Sequence, residues 1–151
     1  FEMAVEIERN GGRFYRKAAE LFPDTADVFG KLAVMEDEHE ATFTNMRAEL
    51  SADETDQPVF DPDGEASMYL QVMADGHVFD VKADPTEKLG QLTSTADVIA
   101  VAIQAEKDSI AFYTGMKECV SKRAGKEKVE AIIKEELAHI ATLNKMLGEL
   151  N

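Results

Sequence analysis

A chain of 151 residues, 44% hydrophobic and 30% charged with only four prolines, is long enough to bury one complete core and is expected to form a single helix-rich domain over residues 1–151. Its net charge of −14 excludes nucleic acid and anionic membrane as partners, since both would repel it. The single cysteine, Cys119, rules out an internal disulfide and a Cys-x-x-Cys metal knuckle, and suits a reducing compartment; the cytoplasm is expected. No apolar run approaches the ~18 residues that span a bilayer. The chain opens inside a helical pattern without a Met, so residues upstream of Phe1 are expected.

Taken in chain order, helical periodicity predicts a first helix from Phe1 to Phe22, closed by Pro23-Asp24. Asp24 or Thr25 caps a second, running to Leu50. A stretch from Ser51 to Thr93 follows, holding three of the four prolines and many Asp, Gly and Ser. Within it Glu65–Ala74 reads as a short amphipathic helix packed on the outside through Met68, Tyr69, Val72 and Met73. The third long helix begins between Ser94 and Asp97 and ends near Ser121. The fourth spans Lys126 to Leu150. Short turns at 22–25 and 122–125 make each pair an antiparallel hairpin, whereas the long middle stretch can cross the full length of a four-helix bundle.

The two hairpins are copies of each other. Ala4–Tyr15 aligns with Ala102–Tyr113, sharing the Ala, the central Glu and the closing Phe-Tyr, and Glu36-x-x-His39 aligns with Glu136-x-x-His139. A duplicated hairpin and a pseudo-twofold bundle follow.

Each predicted helix has one seam that should be apolar: Phe1, Val5, Glu8, Gly12, Tyr15, Ala19 and Phe22 in the first; Leu32, Glu36, His39, Phe43 and Met46 in the second; Ile99, Ile103, Glu106, Ile110 and Tyr113 in the third; Val129, Ile132, Glu136, His139, Leu143 and Met146 in the fourth. Every seam carries a mid-helix Glu, and none carries a Lys or Arg at mid-helix. Four carboxylates in one core repel one another, and each costs several kcal/mol to bury alone. Two divalent cations would neutralise them. The candidate metal ligands are therefore Glu8, Glu36, His39, Glu106, Glu136 and His139, the Glu and His of each Glu-x-x-His sharing one helix face. With 18 Glu and three His in the chain, chance spacing accounts for less than one Glu-x-x-His, and here two fall in register with the repeat. An oxygen-rich set without thiolate favours two iron ions, with manganese or zinc as substitutes.

These residues, with the linker segment YLQVMADGHVF, resemble the rubrerythrin-type members of the ferritin-like superfamily. The resemblance implies a ferritin-like all-α bundle in which Glu36 and Glu136 bridge the metals and the other four ligands are terminal. It implies a non-haem di-iron oxidoreductase that reduces hydrogen peroxide, with ferrous-iron oxidation or iron binding as one alternative and a metal-stabilised structural bundle as another. H2O2 or O2 would be the small-molecule substrate, and a homodimer is expected. Two departures stand out. Rubrerythrins carry a further Glu three residues after the third-helix ligand, where this chain has Ser109. They also usually carry a rubredoxin domain with paired Cys-x-x-Cys motifs, absent from these residues, so the electron donor is expected to be a separate rubredoxin-like protein or a missing segment.

Tyr15 and Tyr113, seven residues after Glu8 and Glu106, match tyrosines bordering the metal site in that family. From the residues alone they are either donors to the carboxylates or core tyrosines satisfied elsewhere. Gly11 and Gly12 are expected to serve helix packing, His77 to be a loop residue, and Cys119 to be a small helix residue without a nucleophile's surroundings.

Overall fold

The computed structural model describes residues 1–50, 63–74 and 84–150. Four long helices make the bundle: α1 (Glu2–Leu21), α2 (Ala26–Glu49), α5 (Thr95–Cys119) and α6 (Lys126–Glu149), with the shorter α3 (Glu65–Ala74) and α4 (Thr86–Leu89) between the pairs. A 3-10 turn, Pro23–Thr25, joins α1 to α2. The expected Thr25 cap takes another form, since its hydroxyl donates to the Phe22 carbonyl at 3.1 Å and so closes the turn instead. Ser94 does cap α5: its hydroxyl accepts from the Asp97 N–H at 3.1 Å and donates to the Asp97 carboxylate at 2.6 Å, a reciprocal arrangement that satisfies an orphan donor of the first turn. Gly125, at φ +102°, turns the chain into α6; a β-carbon there would also come within 2.8 Å of Met46 Cε.

Contacts at the ends fix the topology. Arg47 near the end of α2 pairs with Glu2 at the start of α1, and Lys128 at the start of α6 lies 3.3 Å from Glu49 of α2. The C-terminal end of α2 thus lies beside the turn between α5 and α6, while α5 begins at the far end. The connection from α2 to α5 must therefore travel the bundle's whole length, and α1, α2, α5 and α6 run up, down, down, up. At the far end Asp84 pairs with Arg13 of α1 at 3.0 Å, and Leu89 of α4 is buried. His77 and part of the linker segment singled out above lie outside the described residues.

The duplication survives in the packing. Phe14–Tyr15 and Phe112–Tyr113 are both edge-on pairs, with centroids 5.4 and 5.5 Å apart and the same 80° interplanar angle. Phe29 stacks on Tyr15, and Phe43 lies against Tyr113. These rings, with Leu32, Ile99, Val129 and Leu143, form the dry ends of the core; each contributes roughly 1.5–3 kcal/mol by leaving water.

Two expectations about faces shift. In α5, Ile103 and Ile110 are half-buried, whereas Ala102, Ala105, Ser109 and Phe112 are buried. This helix packs against α6, α3 and α1, so its buried arc is wider than a single seam. In α3 the inward residues are Leu70 and Met73, while Met68 and Val72 face outward at 61% and 62% exposure. Tyr69 anchors α3 by donating to the Ala111 carbonyl at 3.0 Å. It lies flat over Gly115, where any β-carbon would come within 2.2 Å of the ring.

Candidate metal centre

The four long helices each bring a carboxylate to one level, midway along the core. Glu8 lies on α1, Glu36 and His39 on α2, Glu106 on α5, and Glu136 and His139 on α6; all six are buried. The i, i+3 spacing on α2 and α6 aims Glu and His at one point. Where these antiparallel helices meet, the two imidazoles stack with centroids 5.7 Å apart.

The atoms able to bind a metal form two overlapping groups. One consists of Glu8, Glu36, His39 and Glu136, the other of Glu36, Glu106, Glu136 and His139; within each, one atom per residue lies within 4.8 Å of the others. Glu36 and Glu136 are the shared members, and each group adds one Glu and one His of its own. Both histidines present Nδ1 to the carboxylates. His39 Nδ1 is 3.2 Å from Glu136 and 3.5 Å from Glu8, while His139 Nδ1 is 2.9 Å from Glu136, 3.4 Å from Glu106 and 3.5 Å from Glu36.

Tyr15 donates to Glu106, and Tyr113 donates to Glu8. Each hydroxyl thus crosses from one hairpin to the carboxylate of the other, which decides between the two readings of these tyrosines. Gly12 serves packing: a β-carbon there would press within 3.0 Å of Arg16 and 3.1 Å of Asp37, the pair that ties α1 to α2 on the outside. Cys119 is half-buried at the end of α5.

Without a metal, protons must occupy this cluster. Burial, reinforced by the charges of Glu136, Glu8 and Glu106, pushes the Glu36 carboxyl well above its ordinary range. Burial and Glu136 raise Glu106 to about 8, against the pull of His139. Glu136 stays ionised, at about 2, because His139 and His39 outweigh its burial. Burial likewise opposes the charge on the imidazoles, yet Glu136 and Glu8 raise His39 to about 11, and Glu106 and Glu136 raise His139 to about 9. Tyr15 and Tyr113 are held neutral by burial and by the carboxylates they face.

This proton-filled arrangement leaves atoms unsatisfied. Among the described residues, the buried side-chain atoms without a hydrogen-bond partner are Glu8 Oε2, Glu36 Oε1, His39 Nδ1, both Glu136 oxygens, and both nitrogens of His139. The Nδ1–carboxylate separations are those of ion pairs, but their angles are not those of hydrogen bonds. No Lys or Arg is buried among the described residues. Four carboxylates and two neutral imidazoles balance two divalent cations, and every orphaned atom belongs to a residue of the two groups that could hold them. The donor set therefore fits a metal pair.

One nearby residue was not singled out from the sequence. Glu135, immediately before Glu136, lies with Oε2 2.9 Å from His39 Nε2. It looked like one more surface Glu on an acidic helix; only its place before a repeated Glu-x-x-His could have drawn notice.

No family model matches the sequence, and no curated protein matches it. A solved structure does. A protein of Thermotoga maritima, provisionally assigned as a ferritin-like diiron-carboxylate protein, superposes with a TM-score of 0.76 at 27% identity, covering 99% of this chain and 93% of its own. The fold is thus the ferritin-like four-helix bundle. No described helix is long and apolar enough to cross a membrane.

Proposed function

We propose that Glu8, Glu36, His39, Glu106, Glu136 and His139 would hold two iron ions, Glu36 and Glu136 being common to both groups, and that the chain is a di-iron oxidoreductase that reduces hydrogen peroxide. The observation that carries this reading is the paired, overlapping carboxylate–histidine clusters with their orphaned, inward-aimed atoms. The diiron-carboxylate assignment of the Thermotoga protein supports it. When bound, an Fe(II) pair supplies two electrons, one from each ion, so that H2O2 and two protons become two waters.

The chain's own residues have four tasks. The carboxylates neutralise the pair, and the imidazoles give up their protons to bind through Nδ1, so metal uptake releases protons. Tyr15 and Tyr113 orient the outer carboxylates of Glu106 and Glu8 from across the bundle. The aromatic layers above and below keep bulk water out. Ser109, buried one turn past Glu106, offers a hydroxyl where rubrerythrins have a further Glu, so the carboxylate set stays at four. Electrons return from a rubredoxin-like donor outside these 151 residues, whose sole cysteine is Cys119.

The test is anaerobic mixing of Fe(II)-loaded protein with H2O2. One peroxide consumed per two irons, faster than for free Fe(II), is the expected result. Oxidation no faster than in free solution would overturn the proposal, and O2 outpacing H2O2 would move the function to ferrous-iron oxidation.

A further inference from the structure

The repeat is broken where the outer edge of each histidine meets its neighbour. Both histidines turn Nδ1 inward, which leaves Nε2 to face away from the carboxylates. His39 Nε2 meets the Glu135 carboxylate at 2.9 Å. Glu135 precedes Glu136 on α6; the corresponding residue before Glu36 on α2 is Met35. A thioether is at best a weak acceptor, and His139 Nε2 is buried without a hydrogen-bond partner among the described residues.

We infer that Glu135 is a positioning residue that makes the two metal positions unequal, so that the one built on Glu8 and His39 is tighter and fills first. The inference rests on the di-metal reading above. An imidazole that binds through Nδ1 carries its proton on Nε2, and the partner of that proton selects the tautomer. For His39, Glu135 accepts the proton, locks the ring's orientation and makes Nδ1 a stronger donor. For His139, the same tautomer places an N–H donor in a buried position with nothing to receive it, which disfavours the form that binds. The six inner ligands of the two positions correspond residue for residue, whereas the outer contacts of their two histidines do not. Glu135 is itself half-exposed, so the contact can be altered without opening the core.

Removing such an outer partner lowers metal affinity by about 10–100-fold, and the two positions should differ by that order. The experiment is Mn(II) titration of the metal-free protein, followed by electron paramagnetic resonance and by calorimetry, with a crystal grown at one equivalent of Mn(II) and read by anomalous scattering. One equivalent is expected to give an isolated Mn(II) signal and density at the Glu8/His39 position; the second equivalent should give a coupled pair. Glu135→Leu should weaken the tighter constant by about 10–100-fold and leave the weaker one unchanged. Glu135→Gln, which keeps a neutral acceptor, should restore part of the difference, and Met35→Glu should narrow it from the other side. Melting of each metal-free variant shows that the fold is retained. Equal constants, density shared between the positions or first at Glu106/His139, or a Glu135→Leu variant that binds like the parent would overturn the inference while leaving the di-metal reading intact. Failure to take up two Mn(II) per chain would overturn both.

Discussion

On the outer face of α1, Arg9 reaches Glu40 and Arg16 reaches Asp37, each across to α2 at 2.8 Å and each in contact with water. On the inner face of the same helix, Glu8 has one oxygen bonded to Tyr113 and the other without any hydrogen bond. The same kinds of charge are thus settled outside by one another and left open inside. Exposed pairs contribute ~0–1 kcal/mol apiece and are replaceable. A buried cluster of four carboxylates has no such latitude, and in a fold with a full apolar core it persists only if something besides stability requires it. The contrast locates function on the seam and leaves the surface to solubility.

The largest expected break in this contrast is at Glu36. Glu36→Met removes a carboxylate shared by both clusters and supplies an apolar side chain of similar length. Mn(II) at 1,000 times its Kd should stabilise the parent protein by about 4 kcal/mol, or ~8–16 °C in Tm, and the variant should lose that gain. The metal-free variant should melt higher than the metal-free parent, by on the order of 1–4 kcal/mol. A scanning calorimeter reads both signs in one series.

Next comes pH. Glu36 and Glu106 have folded pKa values raised above the ordinary 4.5, so the stability they confer is complete below about 4.5 and is lost as pH rises toward about 8. His39 and His139, raised above 6.5 to about 11 and about 9, act with the same sign at higher pH. Glu136, held at about 2, opposes them only below its ordinary 4.5. The metal-free protein should therefore lose at least about 5 °C in Tm between about pH 5 and pH 8, at about 2–4 °C per kcal/mol. With Mn(II) in excess the trend should flatten or reverse, because binding needs the deprotonated ligands.

Tyr113→Phe sharpens the contrast from within the core. It strips Glu8 of its donor, so metal affinity should fall by about 10–100-fold while the metal-free fold loses only about 1 kcal/mol. Calorimetric titration with Mn(II) measures the first and thermal melting the second. The smallest effect belongs to the surface: Arg16→Ala should cost less than about 1 kcal/mol and leave metal stoichiometry unchanged.

The helices and the six seam residues were legible in the sequence for a common reason. Seam position is a local property of each helix, and the repeat states it twice. Glu65–Ala74 was legible as a helix but not in its phase, since Met68 and Val72 face outward. What escaped depends on neighbours brought in from elsewhere. Tyr15 serves Glu106 rather than Glu8 of its own helix, because the hairpins pack antiparallel and each hydroxyl meets the opposite seam. Ile103 is half-buried and Ala102 takes the inner place, as its repeat counterpart Ala4 does on α1. Glu135 could not be told from other surface glutamates until α2 placed His39 against it.

The central claim is that the buried glutamates exist to hold two metal ions, and elemental analysis tests it most directly. Protein purified without oxygen and loaded with Fe(II) should retain two irons per chain, and Glu36→Ala should abolish the pair. Substoichiometric iron, or iron retained indifferently to Glu36, would contradict the account, since the seam carboxylates would then be satisfied by protons and by one another.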